Sequence, residues 1–187
     1  MSDKSNATYQ IDEWFSNSPE KVEILRTCSE DKKIMSQLSL GHGSYLGEIA
    51  DGYSKISLCN GYFSLLCGKG YDSIVDINAI DDKGMPQLFP GALVIAYDRE
   101  GNIFALNSGA VKNADMGSVL YLHNSSFEWE NLDISYAQFL RWISSVNMAE
   151  LVKNAWKSKN EVEVKGAFVD YLIGKAAAYN MFLKLGG

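Results

Sequence analysis

"FPGALVIAYDREGNIFALNSGA", residues 89–110, decides how this chain folds. In Ala92–Tyr97 both alternating sets are apolar, Leu93/Ile95/Tyr97 and Ala92/Val94/Ala96. A strand covered on both faces has that composition, because neither set is left for water. Asp98-Arg99-Glu100-Gly101 fits a type I turn with Gly101 at the left-handed position of a bulge, where the missing Cβ removes the clash. Ile103–Asn107 then returns antiparallel. The stretch therefore predicts the central hairpin of a sheet, and it leaves one question in Ser108: a nucleophile on a tight turn, or the residue where a strand ends.

Working outward, Gly117–His123 predicts another strand, with Leu120 and Leu122 on one face and Val119 and Tyr121 on the other. Phe127 and Trp129 alternate with Glu128 and Glu130, the pattern of a short half-exposed strand. Upstream, Tyr53–Leu58 and Tyr62–Cys67 flank Asn60-Gly61, a pair that tolerates positive φ at both centres of a type I′ turn. The clearest helix signal is "DISYAQFLRWISSV", residues 133–146. Ser135 caps it, Gln138 reaches back three residues in a capping box, and Ile134 and Phe139 are placed for a hydrophobic staple. Tyr136, Phe139, Leu140, Ile143 and Val146 form the apolar stripe. Asn147 and Glu150 repeat the capping pattern for a second helix carrying Leu151, Val152, Ala155 and Trp156. Val162 to Leu185 is apolar enough for a third, docked helix.

Before the sheet, the chain reads as helical and irregular. Ser29-Glu30-Asp31 offers a capping oxygen and first-turn acids to a helix with Ile34, Met35 and Leu38 on one face. "LGHGSYLG", residues 40–47, matches neither a dinucleotide fingerprint nor a P-loop and reads as a loop. Residues 71–80 suggest a short helix opening at Asp72. Strands followed by helices predict an α+β domain: an antiparallel sheet of four to six strands with helices packed against it, one domain over residues 1–187.

The 187 residues carry 17 basic and 23 acidic side chains, a net charge of −6. Nucleic-acid binding needs clustered Lys and Arg to displace phosphate counterions, so it is not expected. A basic protein partner is permitted. Cys28, Cys59 and Cys67 are odd in number and have no CxxC spacing, which points to a reducing, cytoplasmic setting. "MSDKSNATYQ" lacks the apolar core of a signal peptide, and no run reaches the roughly 18 apolar residues that cross a bilayer. No membrane association is expected.

The candidate chemistry is sparse. A nucleophile elbow needs G-x-S-x-G between a strand and a helix, whereas Ser108 leaves a strand for a loop. A triad also needs a histidine, and only His42 and His123 exist. His123 reads as a sheet-edge residue and His42 as a loop residue, so Ser108 reads as a strand-ending turn. Neither HExxH nor paired Cys/His is present, and Asp81-Asp82-Lys83-Gly84 lacks the other ligands of a calcium loop. No catalytic residue, metal ligand or cofactor is assigned. Glu128 and Glu130 point the same way on a strand, as paired carboxylates would, but alternation with aromatics favours a solvated face. Trp129, Trp142 and Trp156 are core by default and partner anchors where exposed.

The run from Phe89 to Trp142 resembles a bacterial domain-of-unknown-function family. In that family a PG-led strand and an acidic turn precede F-A-L-N-G-G-A, a tyrosine strand, W-E-x-L and Y-x-x-F-L-x-W. Pro90-Gly91, Phe104-Ala105-Leu106-Asn107, Gly109-Ala110, Trp129-Glu130, Leu132, Tyr136, Phe139-Leu140 and Trp142 carry the resemblance. Leu46-Gly47 and "GYFSLLCGKG" are similar to its upstream segments. The resemblance covers about residues 44–156, with 1–43 and 157–187 as helical flanks, and the tail beyond Lys157 departs from it. Ser108 stands where the family often has glycine, which further weakens a catalytic serine.

More distantly, the order of strands followed by a capped Ser-Tyr-x-x-Phe-Leu helix is similar to the SUKH superfamily. That is an α+β group including Syd-like proteins and many that look like immunity proteins of bacterial toxin systems. The resemblance implies a SUKH-like fold that binds protein, an acidic surface occluding a basic, toxin-like partner; fold alone does not fix function. The expected reading is a non-catalytic protein-binding domain, with Asn107, Glu128, Trp129 and Glu130 as candidate partner-binding residues. The alternative is a small-molecule or enzymatic pocket near Asn107, Glu128 and Glu130, and a third reading is a structural homo-oligomer.

Overall fold

The structure is a computed structural model that describes residues 5–27, 32–41, 43–70, 73–145, 173–181 and 184. In chain order the elements are α1 (Asn6–Ser16), β1 (Val22–Arg26), α2 (Lys32–Gln37), α3 (Tyr45–Gly52), β2 (Tyr53–Leu58) and β3 (Phe63–Leu65). There follow α4 (Ile74–Asn78), β4 (Ala92–Asp98), β5 (Ile103–Asn107), β6 (Val119–Leu122), β7 (Glu130–Asn131) and α5 (Tyr136–Ser145). Residues 173–181 form a last helix, α6. Among the described residues the strands make one seven-stranded sheet in the order of the chain, every neighbouring pair antiparallel.

The class is α+β, as the sequence predicts, but seven strands exceed the expected four to six. The unexpected strand is β1, in the segment read as helical and irregular. Its five residues alternate too briefly to stand out, and it exists because it pairs along β2, Val22 opposite Leu58 and Ile24 opposite Ile56. The last strand is shorter than expected. Ser126 Oγ accepts the Glu128 N–H at 3.0 Å, which closes a turn where the alternation suggested extended chain, and only Glu130 and Asn131 pair with β6.

The turns and helix starts follow their local sequence more closely. The β2–β3 turn holds Cys59, Asn60 and Gly61 all at positive φ (52°, 55° and 79°), so the left-handed run begins one residue before Asn60-Gly61. The "LGHGSYLG" segment is not wholly loop: Ser44 caps α3 by accepting the Gly47 amide at 3.1 Å. Ser73 caps α4, not Asp72, which lies outside the described residues, as do Ser29-Glu30-Asp31, Val146 and the second helix expected around Leu151–Trp156. The Ser135 capping box is present in both directions. Gln138 Oε1 accepts the Ser135 amide at 2.8 Å, and Ser135 Oγ accepts the Gln138 amide at 3.3 Å.

The core is built on the central hairpin. Every residue of β5 is buried, and in β4 only Leu93 is partly exposed. On one face Phe63 and Phe104 receive Phe139 of α5, with ring centroids 6.2 and 5.2 Å apart, and α1 and α3 pack beside α5. A second aromatic group joins Phe89, Trp129 and Tyr179 of α6. Between Val94 and Ala96 the register with β5 slips, which leaves Ile95 as a bulge. Leu65 pairs with Ala96, the Leu66 amide reaches Ile95 C=O at 2.8 Å, and there the neighbouring strand stops. Asn78 takes its place. Its Oδ1 accepts the Val94 N–H at 2.7 Å, and its Nδ2 donates to Val94 C=O and Ile74 C=O, each at 2.8 Å.

Two stability changes follow, both read by urea denaturation. Ser135→Ala should cost about 1 kcal/mol, the usual loss of an N-cap. Asn78→Ala should cost about 2–4 kcal/mol, because it strands the Val94 N–H and C=O in the core; a loss under about 0.5 kcal/mol would show that water replaces the amide.

Candidate functional site

A meander sends alternate turns to the same end of the sheet, and here β2–β3, β4–β5 and β6–β7 meet. The Arg99 amide donates to Tyr62 C=O at 2.8 Å, the Asn124 amide to Asn102 Oδ1 at 3.0 Å, and Asn124 Nδ2 to Glu100 C=O at 2.7 Å. Asp98 organises the middle turn. Its carboxylate accepts the amides of Glu100 and Asn102 at 2.9 and 3.0 Å and the Asn102 side chain at 2.8 Å. Gly101, at φ 85°, donates to Asp98 C=O at 3.1 Å, the bulged type I turn that the sequence predicts.

Charges of both signs meet at this end: Asp98 and Glu100 flank Arg99, which donates to Asn60 C=O at 3.3 Å, and Lys175 donates to Asn124 C=O at 2.8 Å. Tyr62 is pushed up to about 12, first by burial and then by Asp98 and Glu100. Burial, Asp98 and Glu130 raise Tyr121 in the same way. The carboxylates of Asp98, Glu100 and Glu130 thus act on two phenols of one surface. Glu130 pairs across from Tyr121, and Tyr121 from Phe104, so the three share a face of the sheet. From Tyr121 an aromatic line runs through Phe104 at 5.2 Å to Trp142 of α5 at 6.4 Å, and His123 lies 6.4 Å beyond Tyr121 on the other side. Trp142 is 40% exposed, at the open end of this line. Aromatic faces bordered by carboxylates attract an ammonium or guanidinium group through the ring quadrupole and the negative field.

The four residues singled out in the sequence are distributed differently. Asn107 is 2% exposed, and its amide is spent on the β5–β6 loop. Oδ1 accepts the amides of Gly109 and Val111, each at 3.1 Å, and Nδ2 donates to the carbonyls of Val111, Ala114 and Asp115 at 3.0, 2.9 and 3.2 Å. Asn107 lies three residues along β5 from Phe104, about 10 Å away and on the opposite face from Glu130. The structure therefore does not bring Asn107 together with the two glutamates. Glu128 is exposed in the turn before β7, Trp129 packs edge-on against Phe89 at 5.6 Å, and only Glu130 borders the aromatic line. Sequence reasoning missed Asp98, Tyr62 and Tyr121 as a group, since they converge from two strands and the β2–β3 turn.

The backbone of Ser108 closes onto Gly91, donating to its C=O at 2.7 Å, while His123 Nδ1 meets Ser125 Oγ at 2.8 Å. Among the described residues no group of three or more His, Cys, Asp or Glu side chains is placed to hold a metal ion. Nor is any helix among them long and apolar enough to cross a membrane.

The chain belongs to the family described as "Protein of unknown function DUF2625", whose model matches residues 1–170. That match extends past residues 44–156 into both flanks. The chain is 28% identical over 159 residues to the uncharacterized protein YbfG of Escherichia coli strain K12, covering 83% of this chain and 72% of that protein. It is 23% identical over 146 residues to an uncharacterized protein of Haemophilus influenzae strain ATCC 51907, covering 76% of this chain and 64% of that relative, just under two thirds of its length. No solved structure matches.

The Asp98 carboxyl is raised above its ordinary 3.8, chiefly by burial, against the opposing pull of its three hydrogen bonds. Folding therefore favours its protonated form. The stabilisation is complete below the ordinary value and is lost as pH rises through the folded-state value. Carbon-13 titration of the Asp98 carboxyl should give a midpoint above 3.8; a midpoint below it would reverse the sign.

Proposed function

We propose that this chain is a non-catalytic, cytosolic protein-binding domain whose ledge of Tyr121 and Trp142, backed by the buried Phe104 and bordered by Glu130, receives cationic side chains of a basic partner. The observation that carries this reading is the placement of Glu130 across from Tyr121 and of Tyr121 across from Phe104, on the sheet face whose Phe104 ring adjoins the exposed Trp142. A cation entering there would meet aromatic faces and negative charge together. The net charge of −6 supports the same direction. So does the resemblance to the SUKH superfamily, in which an acidic surface would mask a basic, toxin-like partner. The relatives bring no function of their own to the argument, so the reading stands on the surface.

Titration calorimetry of the full chain with a synthetic Arg- and Lys-rich peptide, and with a Glu-rich peptide of equal length, tests it. Binding should be confined to the basic peptide and should weaken as salt rises from about 50 to 300 mM, since exposed charges are screened over about 10 Å near 0.1 M. Trp142→Ala and Glu130→Gln should each weaken it two- to five-fold, about 0.5–1 kcal/mol for an exposed cation–aromatic contact. Equal binding of both peptides, or indifference to both substitutions, would rule the ledge out.

A further inference from the structure

His123 directly follows β6 and is exposed. Its ring stands edge-on to that of Tyr121, with centroids 6.4 Å apart, so the tyrosine of the ledge also borders an imidazole. The Nδ1 atom meets Ser125 Oγ at 2.8 Å and accepts the Ser125 N–H at 3.3 Å. A backbone amide only donates, so Nδ1 is the unprotonated nitrogen of a neutral ring whose proton sits on Nε2. A doubly protonated ring would turn an N–H toward that amide and lose the bond.

An imidazole is the side chain whose charge ordinarily changes between about pH 5 and 8. The carboxylates near this one come from two neighbours. Glu130 of β7 lies across from Tyr121, and Glu128 is exposed in the turn before it. In the β4–β5 turn Asp98 acts on Tyr121, and Glu100 C=O accepts Asn124 Nδ2 at 2.7 Å. From α6, Lys175 Nζ donates to Asn124 C=O at 2.8 Å and to Ser126 C=O, while Arg99 reaches away to Asn60 C=O at 3.3 Å. A proton on His123 would therefore add a cation beside the ring and the carboxylate that an incoming cation uses. Like charges at an exposed surface repel over several ångströms, to the extent that salt allows.

We propose that His123 makes the ledge sensitive to pH: the neutral ring leaves Tyr121 and Glu130 open to a cationic side chain, and the protonated ring sets beside them a like charge that drives the cation off. Affinity is then greatest above the range in which the imidazole titrates and falls as pH drops through it. The inference rests on the cation-binding reading of the ledge and adds the condition under which the partner is released. It also gives a part to a histidine that stands next to the ledge rather than in it.

The test is titration calorimetry of the full chain, at constant low salt, with a peptide built only of Arg, Lys, Gly and Ser, whose side chains do not titrate between about pH 5.5 and 8. The wild-type chain should bind it about two- to five-fold more weakly at the lower pH, the size of one like charge at an exposed site. His123→Gln, neutral at both, should keep the affinity of the higher pH and lose most of that fall. What slope remains belongs to the carboxylates, Asp98 among them. His123→Lys, charged at both, should bind weakly throughout. A wild-type affinity indifferent to pH, or an equal fall in His123→Gln, overturns the proposal. So does a His123→Lys chain that binds as tightly as wild type at the higher pH. If the variants fail to fold by circular dichroism, the wild-type chain decides: the His123 ring-proton resonances and the affinity should share one midpoint, and separate midpoints overturn it. Absence of binding at either pH overturns the ledge and this inference together, whereas binding that ignores pH overturns the inference alone.

Discussion

A buried strand must give each N–H and C=O a partner, and in this chain two asparagine side chains complete that pairing where neighbouring strands run out. Beside β4, the Asn78 amide offers one acceptor and one donor to Val94, just as a strand residue would. Beyond β5, Asn107 gathers the loop that leads to β6, so the chain re-enters the sheet with the Asn107 amide on Ser118 C=O at 2.9 Å. An unpaired backbone group in such a place costs about 1–3 kcal/mol, a large part of a net stability of about 5–15 kcal/mol. The continuous seven-stranded sheet, and with it every surface built on its ends, depends on those two amides.

The same constraint shapes the charged end. Asp98 is buried because it caps its own turn, its oxygens holding the amides that the bulge leaves over. A carboxylate fixed for a structural purpose then sets the field felt by Tyr62 and Tyr121. The group that closes the β4–β5 hairpin also helps, after burial, to raise both phenols. Gly91 plays the comparable part at the opposite end. At φ 77°, with a Cβ that would come within 2.5 Å of the Ala110 nitrogen, it lets the chain entering β4 approach the loop after β5.

The ledge and the α6 surface divide the aromatic residues into two groups with different consequences. Phe104, Phe139 and Trp142 pack as a triangle of rings whose last member reaches solvent. Phe89, Trp129 and Tyr179 join helix α6 to the sheet beside Lys175, whose ammonium bonds the carbonyls of Asn124 and Ser126. The first arrangement offers a field to an approaching cation, and the second already holds one. Membership in a family of unknown function adds no chemistry to either, so the argument for both is local geometry.

What the sequence determined alone lies within a few residues of itself: the bulged turn at Asp98–Gly101, the capping box between Ser135 and Gln138, the doubly buried β4 and the apolar stripe of α5. These are set by one turn's worth of dihedral preference and by the period of the side chains. The α+β class followed from their order. Tertiary structure decided β1, which is a strand only because β2 lies beside it, and it converted Asn107 from a candidate ligand contact into a loop brace. It also curtailed β7, placed Asn78 against a residue 16 positions away, and drew Asp98, Tyr62 and Tyr121 from two strands and a turn to one end. The physical reason is range. A cap or a turn is closed by neighbours the sequence spells out in order, whereas a buried amide or a shared electric field is defined by whichever distant segments the fold brings near.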